Sequence, residues 1–126
     1  MLENVIDVTE RCRHSLMCRH VCPVGNITRM ETLTPHGWAQ LVALERRGLS
    51  TWNAETVDAL YKCADCGNCR THCVYSNPLP EGIAAARAVV VEKGLALPIV
   101  YELGQILQEW ENPYAKQRPE AAQGTG

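Results

Sequence analysis

Cys63, Cys66, Cys69 and Cys73 stand in one unbroken run, C-x2-C-x2-C-x3-C, inside KCADCGNCRTHC. No other feature restricts the folding of this chain as much. Three cysteines at three-residue steps wrap a loop around a single cube of iron and sulfide. The fourth sulfur lies too far along the chain to join them, and in chains with two such cubes it ligates the other one. The run therefore requires a second cysteine motif to complete both sites.

That motif lies near the N-terminus. Cys12-Arg13-His14-Ser15-Leu16-Met17-Cys18-Arg19-His20-Val21-Cys22-Pro23 has the spacing C-x5-C-x3-C-P. Laid over the bacterial pattern C-x2-C-x2-C-x3-C-P, the missing second cysteine falls on Ser15. All seven cysteines of the chain are then used. Exchanging the fourth ligands gives two expected sites. One is Cys63, Cys66, Cys69 and Cys22, a full set for [4Fe–4S]. The other is Cys12, Cys18 and Cys73, with Ser15 where a fourth ligand would sit.

Three thiolates suit a [3Fe–4S] cluster, from which the unligated iron is absent. The rival is a second [4Fe–4S] cluster with a serine or solvent ligand. Ser15 would have to ionise to bind iron well, and a hydroxyl is far harder to ionise than a thiol of pKa near ~8.5. This favours three irons. A plain loop serine bonded to nearby backbone is compatible with the same site. Structural zinc prefers CxxC-type pairs separated by a longer loop. The first motif has no CxxC pair, and seven ligands do not divide into tetrahedral sites. A disulfide framework needs a secreted setting and fits an odd count poorly.

At 126 residues the chain is expected to form one domain, over residues 1–114, followed by a polar flexible tail over 115–126. The start MLENVIDVTERC carries acidic residues and no long apolar stretch, unlike a secretory leader. The longest apolar-rich segment, Ile83 to Val91, contains Arg87, so no membrane span is expected. Many free cysteines without a leader point to a reducing compartment, the cytoplasm. Formal net charge is −2 with neutral thiols, and two oxidised clusters with their thiolates would bring it to about −6. That argues against nucleic-acid binding, which needs a basic footprint. Arg11, Arg13, His14, Arg19, His20 and Arg29 gather near the first motif. Compensation of cluster charge is the simpler reading, and an acidic docking partner the functional one. His14 and His20 as Rieske-like iron ligands are disfavoured once seven thiolates are accounted for.

Helix signals dominate between and after the motifs. Thr34-Pro35 offers an N-cap and a first-turn proline, with Trp38, Leu41, Val42 and Leu44 following and Gly48 closing the helix. Asn53 caps a second short helix that leads into Cys63. Pro80 and Glu81 open a helix to about Lys93, ended by Gly94. Pro98 starts a fourth, in which Val100, Leu103, Ile106, Leu107 and Trp110 recur at helical spacing, and Asn112-Pro113 stops it. No segment alternates like a strand with a hairpin turn. The expected fold is all-α, with both clusters in loops between helices. Trp38, Trp52 and Trp110 are read as core that shields the clusters from water, since exposure tunes their potentials. Asp65 is read as facing solvent or capping its loop.

These motifs resemble a known group. RCRHSLMCRHVCP is similar to the C-x5-C-x3-C-P segment of the succinate dehydrogenase iron–sulfur subunit, with the order of the two motifs reversed. A closer resemblance is to the α-helical ferredoxin domain of the heterodisulfide reductase-like family. That family includes iron–sulfur subunits of anaerobic glycerol-3-phosphate dehydrogenase, glycolate oxidase and lactate-oxidation systems. CRHVCP followed by Thr34-Pro35-His36-Gly37 resembles the family's (S/T)-P-R-G. KCADCGNCRTHC is followed by a helix bearing Arg87, and Glu111-Asn112-Pro113-Tyr114 resembles its G-N-P-(Y/W). Ser15 replaces a common cysteine, Val74 replaces the proline usual after the last cysteine, and the sequence stops where the family's CCG domains would begin.

The resemblance implies an electron-transfer subunit, not an enzyme on its own. It would relay single electrons between a flavoprotein dehydrogenase and a downstream acceptor, whether a CCG-domain subunit, a quinone or another carrier, with any membrane association made through partners. It also implies that the Cys63 site has the lower potential and the Cys12 site faces the downstream side. A redox or oxygen sensor, switched by loss of iron at Ser15, is the alternative. Catalysis at an open iron corner ranks last, because the C-x3-C-x2-C spacing of radical enzymes is absent.

Overall fold

In the computed structural model, residues 4 and 6–115 are described, and prolines mark where most helices begin. The helices are α1 (Pro23–Thr28), α2 (Pro35–Arg46), α3 (Ala54–Tyr61), α4 (Asn68–Thr71), α5 (Leu79–Glu92) and α6 (Pro98–Trp110). Short 3-10 turns lie at Asp7–Thr9, Arg19–Val21 and Glu31–Leu33. Pro23, Pro35, Pro80 and Pro98 each occupy a first-turn position of their helices. There the missing N–H removes no intrahelical bond and the fixed φ suits the helix. No strand occurs among the described residues, so the all-α expectation holds.

The helix ends follow local chemistry. Asn53 Oδ1 accepts from the N–H groups of Glu55 and Thr56, and Thr56 Oγ1 accepts from Asn53 N–H at 2.8 Å, a reciprocal cap on α3. Gly48 and Gly94 close α2 and α5 in the left-handed region, at φ 69° and 73°. Leu49 N–H reaches Leu44 O and Leu95 N–H reaches Val90 O, both at 3.0 Å, the six-to-one bond of a Schellman end.

Three helices make the core. α2 packs on α5, on α3 and on the turn at Asp7–Thr9. Trp38, Val42, Val57, Leu60, Ile83 and Val90 are all within 2 % of full burial. Each such side chain contributes on the order of 1.5–3 kcal/mol. Polar pins fix the register. Trp38 Nε1 donates to Ala59 O at 2.7 Å, and the buried Asn77 Nδ2 donates to Val8 O at 2.9 Å. Gly37 has a steric reason to be glycine. A Cβ there would stand 2.4 Å from Glu31 O and 2.8 Å from Thr32 O, so α2 lies directly on the turn before it.

After Leu95 the chain passes into a second compact unit. Its helix, α6, has no buried residue. The stripe expected to be core is therefore not core: Leu103 and Leu107 are exposed, while Val100, Ile106 and Trp110 are half-buried. Among the described residues of this unit there is no second long helix to cover that face. Trp52 is likewise only half-buried, which leaves Trp38 as the fully buried tryptophan of the three. From residue 116 onward the polar tail lies outside the described residues.

Candidate metal centre

Two neighbouring pockets carry the cysteines. The first, of about 350 Å³, is lined by Cys22, Cys63, Cys66 and Cys69, against walls of Trp38, Ile83, Pro23, Pro35 and Pro80. The second, of about 450 Å³, is lined by Cys12, Cys18 and Cys73 together with Ser15, and by Arg11, Arg13, Leu16, His36 and Tyr75. Cys69 borders both and stands in the wall between them. The fold thus gathers cysteines from two separate stretches of the chain. Cys22 meets the second motif's loop in the first pocket, and Cys73 meets the first motif's loop in the second.

The two loops share one backbone, displaced by 51 residues (63 − 12). His14 and Leu16, flanking Ser15, are left-handed at φ 53° and 60°. Asp65 and Gly67, flanking Cys66, are left-handed at φ 52° and 77°. Arg19 N–H bonds Leu16 O at 3.1 Å, as Arg70 N–H bonds Gly67 O at 3.1 Å. Cys22 N–H bonds Arg19 O at 3.3 Å, as Cys73 N–H bonds Arg70 O at 3.3 Å. Arg19 pairs with Glu31, and Arg70 with Glu81. Ser15 therefore sits in the backbone position that Cys66 holds in the other loop. Alternating left-handed residues turn the side chains between them to one side, as wrapping a cluster requires.

Electrostatics differ between the sites. Cys22 is the N-cap of α1, and its Sγ accepts from Gly25 N–H at 3.4 Å, which fixes the sulfur at the start of that helix. Burial pushes the Cys63 thiol up, while the bond from Asp65 N–H and the nearby Arg87 guanidinium oppose it. Cys69 is pushed up to about 12, first by burial and then by Cys18 and Cys63. Burial likewise raises Cys18, with Cys12 adding to it. Without metal these thiols hold their protons, so loading must release them. In the second pocket His36 is held below the usual histidine range, chiefly by burial. Its Nδ1 lies 3.0 Å from Thr34 Oγ1, whose hydroxyl donates to Glu31 O at 2.5 Å, and its Nε2 lies 3.5 Å from Glu31 Oε2.

Arg87 is the site residue whose role the sequence alone does not disclose. From α5 its guanidinium donates twice to Leu60 O, at 3.3 and 2.9 Å, and once to Cys63 O at 2.7 Å. It also stacks 5.2 Å from the Tyr61 ring centroid. The end of α3 and the first cysteine of the second loop are clamped together. An arginine inside the apolar run Ile83–Val91 was the available signal, because a buried cation needs acceptors. The loop repeat also had a trace, in CRHVC and CRTHC. Asp65 is exposed on the first pocket's rim. His14 Nδ1 lies 4.0 Å from Cys12 Sγ, whereas His20 packs edge-on against His72 and lines neither pocket.

The donor set fits iron–sulfur clusters. Among the described residues, no three His, Cys, Asp or Glu side chains converge on a point where one metal ion could sit. A tetrahedral zinc would draw its sulfurs to within roughly 4 Å of each other, since each Zn–S bond is about 2.3 Å. A cube spreads its ligands over separate iron corners, as cysteines lining an open pocket do. No curated protein and no solved structure matches the chain. The family model described as a 4Fe-4S dicluster domain matches residues 8–77, which hold both cysteine loops and the helices between them. With more than half of its length inside that match, the chain belongs to the 4Fe-4S dicluster domain family, an iron–sulfur, ferredoxin-like group.

Proposed function

We propose that this protein is the electron-transfer subunit of a multi-subunit oxidoreductase of the heterodisulfide reductase-like kind. It relays single electrons between a flavin dehydrogenase and a downstream acceptor. The observation that carries this reading is the pair of cysteine pockets sharing the Cys69 wall. Cys22, Cys63, Cys66 and Cys69 hold a [4Fe–4S] cluster. Cys12, Cys18 and Cys73 hold a [3Fe–4S] cluster, with Ser15 at the fourth corner. When bound, the clusters divide a flavin's electron pair into one-electron steps.

The chain's own residues prepare those sites. Trp38, Ile83 and the three prolines give the first pocket an apolar wall. Gly25 N–H holds the Cys22 sulfur and Arg87 fixes the approach of Cys63. The second pocket is bordered by basic and aromatic side chains, and we assign it to the acceptor side. No described helix is long and apolar enough to cross a membrane, and we assign any membrane association to the partners.

Anaerobic isolation of the native assembly, followed by flavin analysis and an EPR redox titration, tests the reading. A flavin-bearing polypeptide in fixed ratio is expected, with the three-iron signal at the higher potential. Isolation without any redox partner, together with sites that accept no electron from reduced flavin, would contradict the function. A three-iron signal at the lower potential would reverse the direction of transfer.

A further inference from the structure

The shared backbone of the two loops allows their side chains to be compared position by position, and the comparison points outward. Where the second loop has Ala64, Asp65, Gly67 and Asn68, the first has Arg13, His14, Leu16 and Met17. One loop is small and acidic, the other large, apolar and basic. Leu16 adopts φ 60° at the position where the other loop uses glycine, and it is 45 % exposed. A bulky side chain at a positive φ that still leaves close to half its surface exposed is only partly covered by the fold around it. Tyr75, 64 % exposed, lines the same pocket mouth, and Met17 and Val74 lie exposed beside it in sequence. Arg11 and Arg13 also line that mouth, and neither has an ion-pair partner among the described residues. Such a patch, apolar at its centre with unpaired arginines around it, has the composition of a protein contact.

We propose that this lip of the second pocket is the docking surface for an acidic redox protein, whose carboxylates meet Arg11 and Arg13 while an apolar spot covers Leu16 and Tyr75. The inference rests on the electron-transfer reading and adds the side on which the partner binds and the partner's charge. An anionic membrane would be attracted by the same charges. A protein is favoured because the patch surrounds the mouth of a redox site and not an extended face.

The test uses the iron-loaded chain under anaerobic conditions, with reduced flavodoxin, an acidic flavin carrier, standing in for the acidic partner and run in the reverse direction, since one docking contact serves electrons entering or leaving. Second-order rates of electron uptake are measured against salt. The wild-type rate should fall steeply as ionic strength rises. Arg13→Glu should lower it about tenfold at low salt. Leu16→Gly should lower the rate per loaded cluster several-fold; its backbone already suits glycine, and because Leu16 lines the second pocket its iron content is measured alongside. Should Leu16→Gly lose iron, Met17→Ser takes its place. Arg29→Glu makes the same charge change away from both pockets and should have little effect.

Wild-type rates in Arg13→Glu and in the apolar variant would overturn the docking surface. So would an Arg29→Glu loss as large as that of Arg13→Glu, which would make net charge alone responsible. Leu16-dependent sedimentation with phosphatidylserine vesicles, without any effect on the flavodoxin rate, would assign the lip to a lipid surface instead. Uptake from a small dye but not from flavodoxin defeats the docking surface alone. Uptake from neither defeats the electron-transfer reading beneath it.

Discussion

The two cysteine loops have the same backbone and different surroundings. Around Cys66 the wall is tryptophan, isoleucine and proline, and an arginine from α5 clamps the loop's first carbonyl. Around Ser15 the wall includes two arginines, a histidine and a tyrosine. Among the described residues, no guanidinium clamps Cys12 in the way Arg87 clamps Cys63. The first site has an apolar wall on one side and the exposed Ala64, Asp65 and Cys66 on the other, whereas the second is bordered by basic and aromatic side chains. The backbone sets where a cluster can sit, and the side chains around it decide what else can approach.

The largest effect should come from exchanging the fourth-corner residues. Cys66→Ala should abolish the four-iron signal of the first site, leaving a three-iron cluster or none, a loss of about one to four irons per chain. Ser15→Ala should leave the iron count unchanged, and Ser15→Cys should raise it by about one. Iron assay with EPR reads all three. A loss of iron in Ser15→Ala would show that the two corners are equivalent and break the comparison.

Arg87→Ala comes next. It strands the carbonyls of Leu60 and Cys63 and should destabilise the loaded protein by about 2–4 kcal/mol. Thermal denaturation measures this, and site-resolved EPR should show the first site losing its signal before the second. Gly37→Ala presses on the opposite side. A methyl group 2.4 Å from Glu31 O must push α2 off the turn that carries Glu31, at a cost of about 1–3 kcal/mol. Its spectral change should appear at the second site, which His36 lines. Asn53→Ala should have the smallest effect, about 1 kcal/mol from a lost cap, with neither EPR signal altered.

What the sequence disclosed was mostly local. The cysteine spacings, the Asn53 cap, the first-turn prolines and the glycine ends at Gly48 and Gly94 depend on neighbours a few residues away, and each is where the sequence put it. The grouping of Cys22 with the second loop and Cys73 with the first followed from chain reach. The short helices α1 and α4 escaped notice because they lie inside the cysteine motifs, where helical periodicity has no room to appear. The left-handed residues His14, Leu16 and Asp65 escaped because a positive φ is uncommon outside glycine, and even the enrichment of Asp and His there is too weak to mark a single position. Arg87 was visible as a cation in an apolar run, but its acceptors lie 24 to 27 residues away and only packing brings them together. The α6 stripe shows the opposite error. Amphipathic spacing identified the helix correctly, yet periodicity cannot say whether anything covers its apolar face.

The central claim is one full site and one site short of a thiolate. Quantitative iron and sulfide analysis of the anaerobically loaded chain, with EPR of the oxidised and reduced forms, tests it most directly. About seven irons and eight sulfides per chain are expected, with a three-iron signal when oxidised and a four-iron signal when reduced. About eight irons without a three-iron signal, or zinc in place of iron, would contradict it.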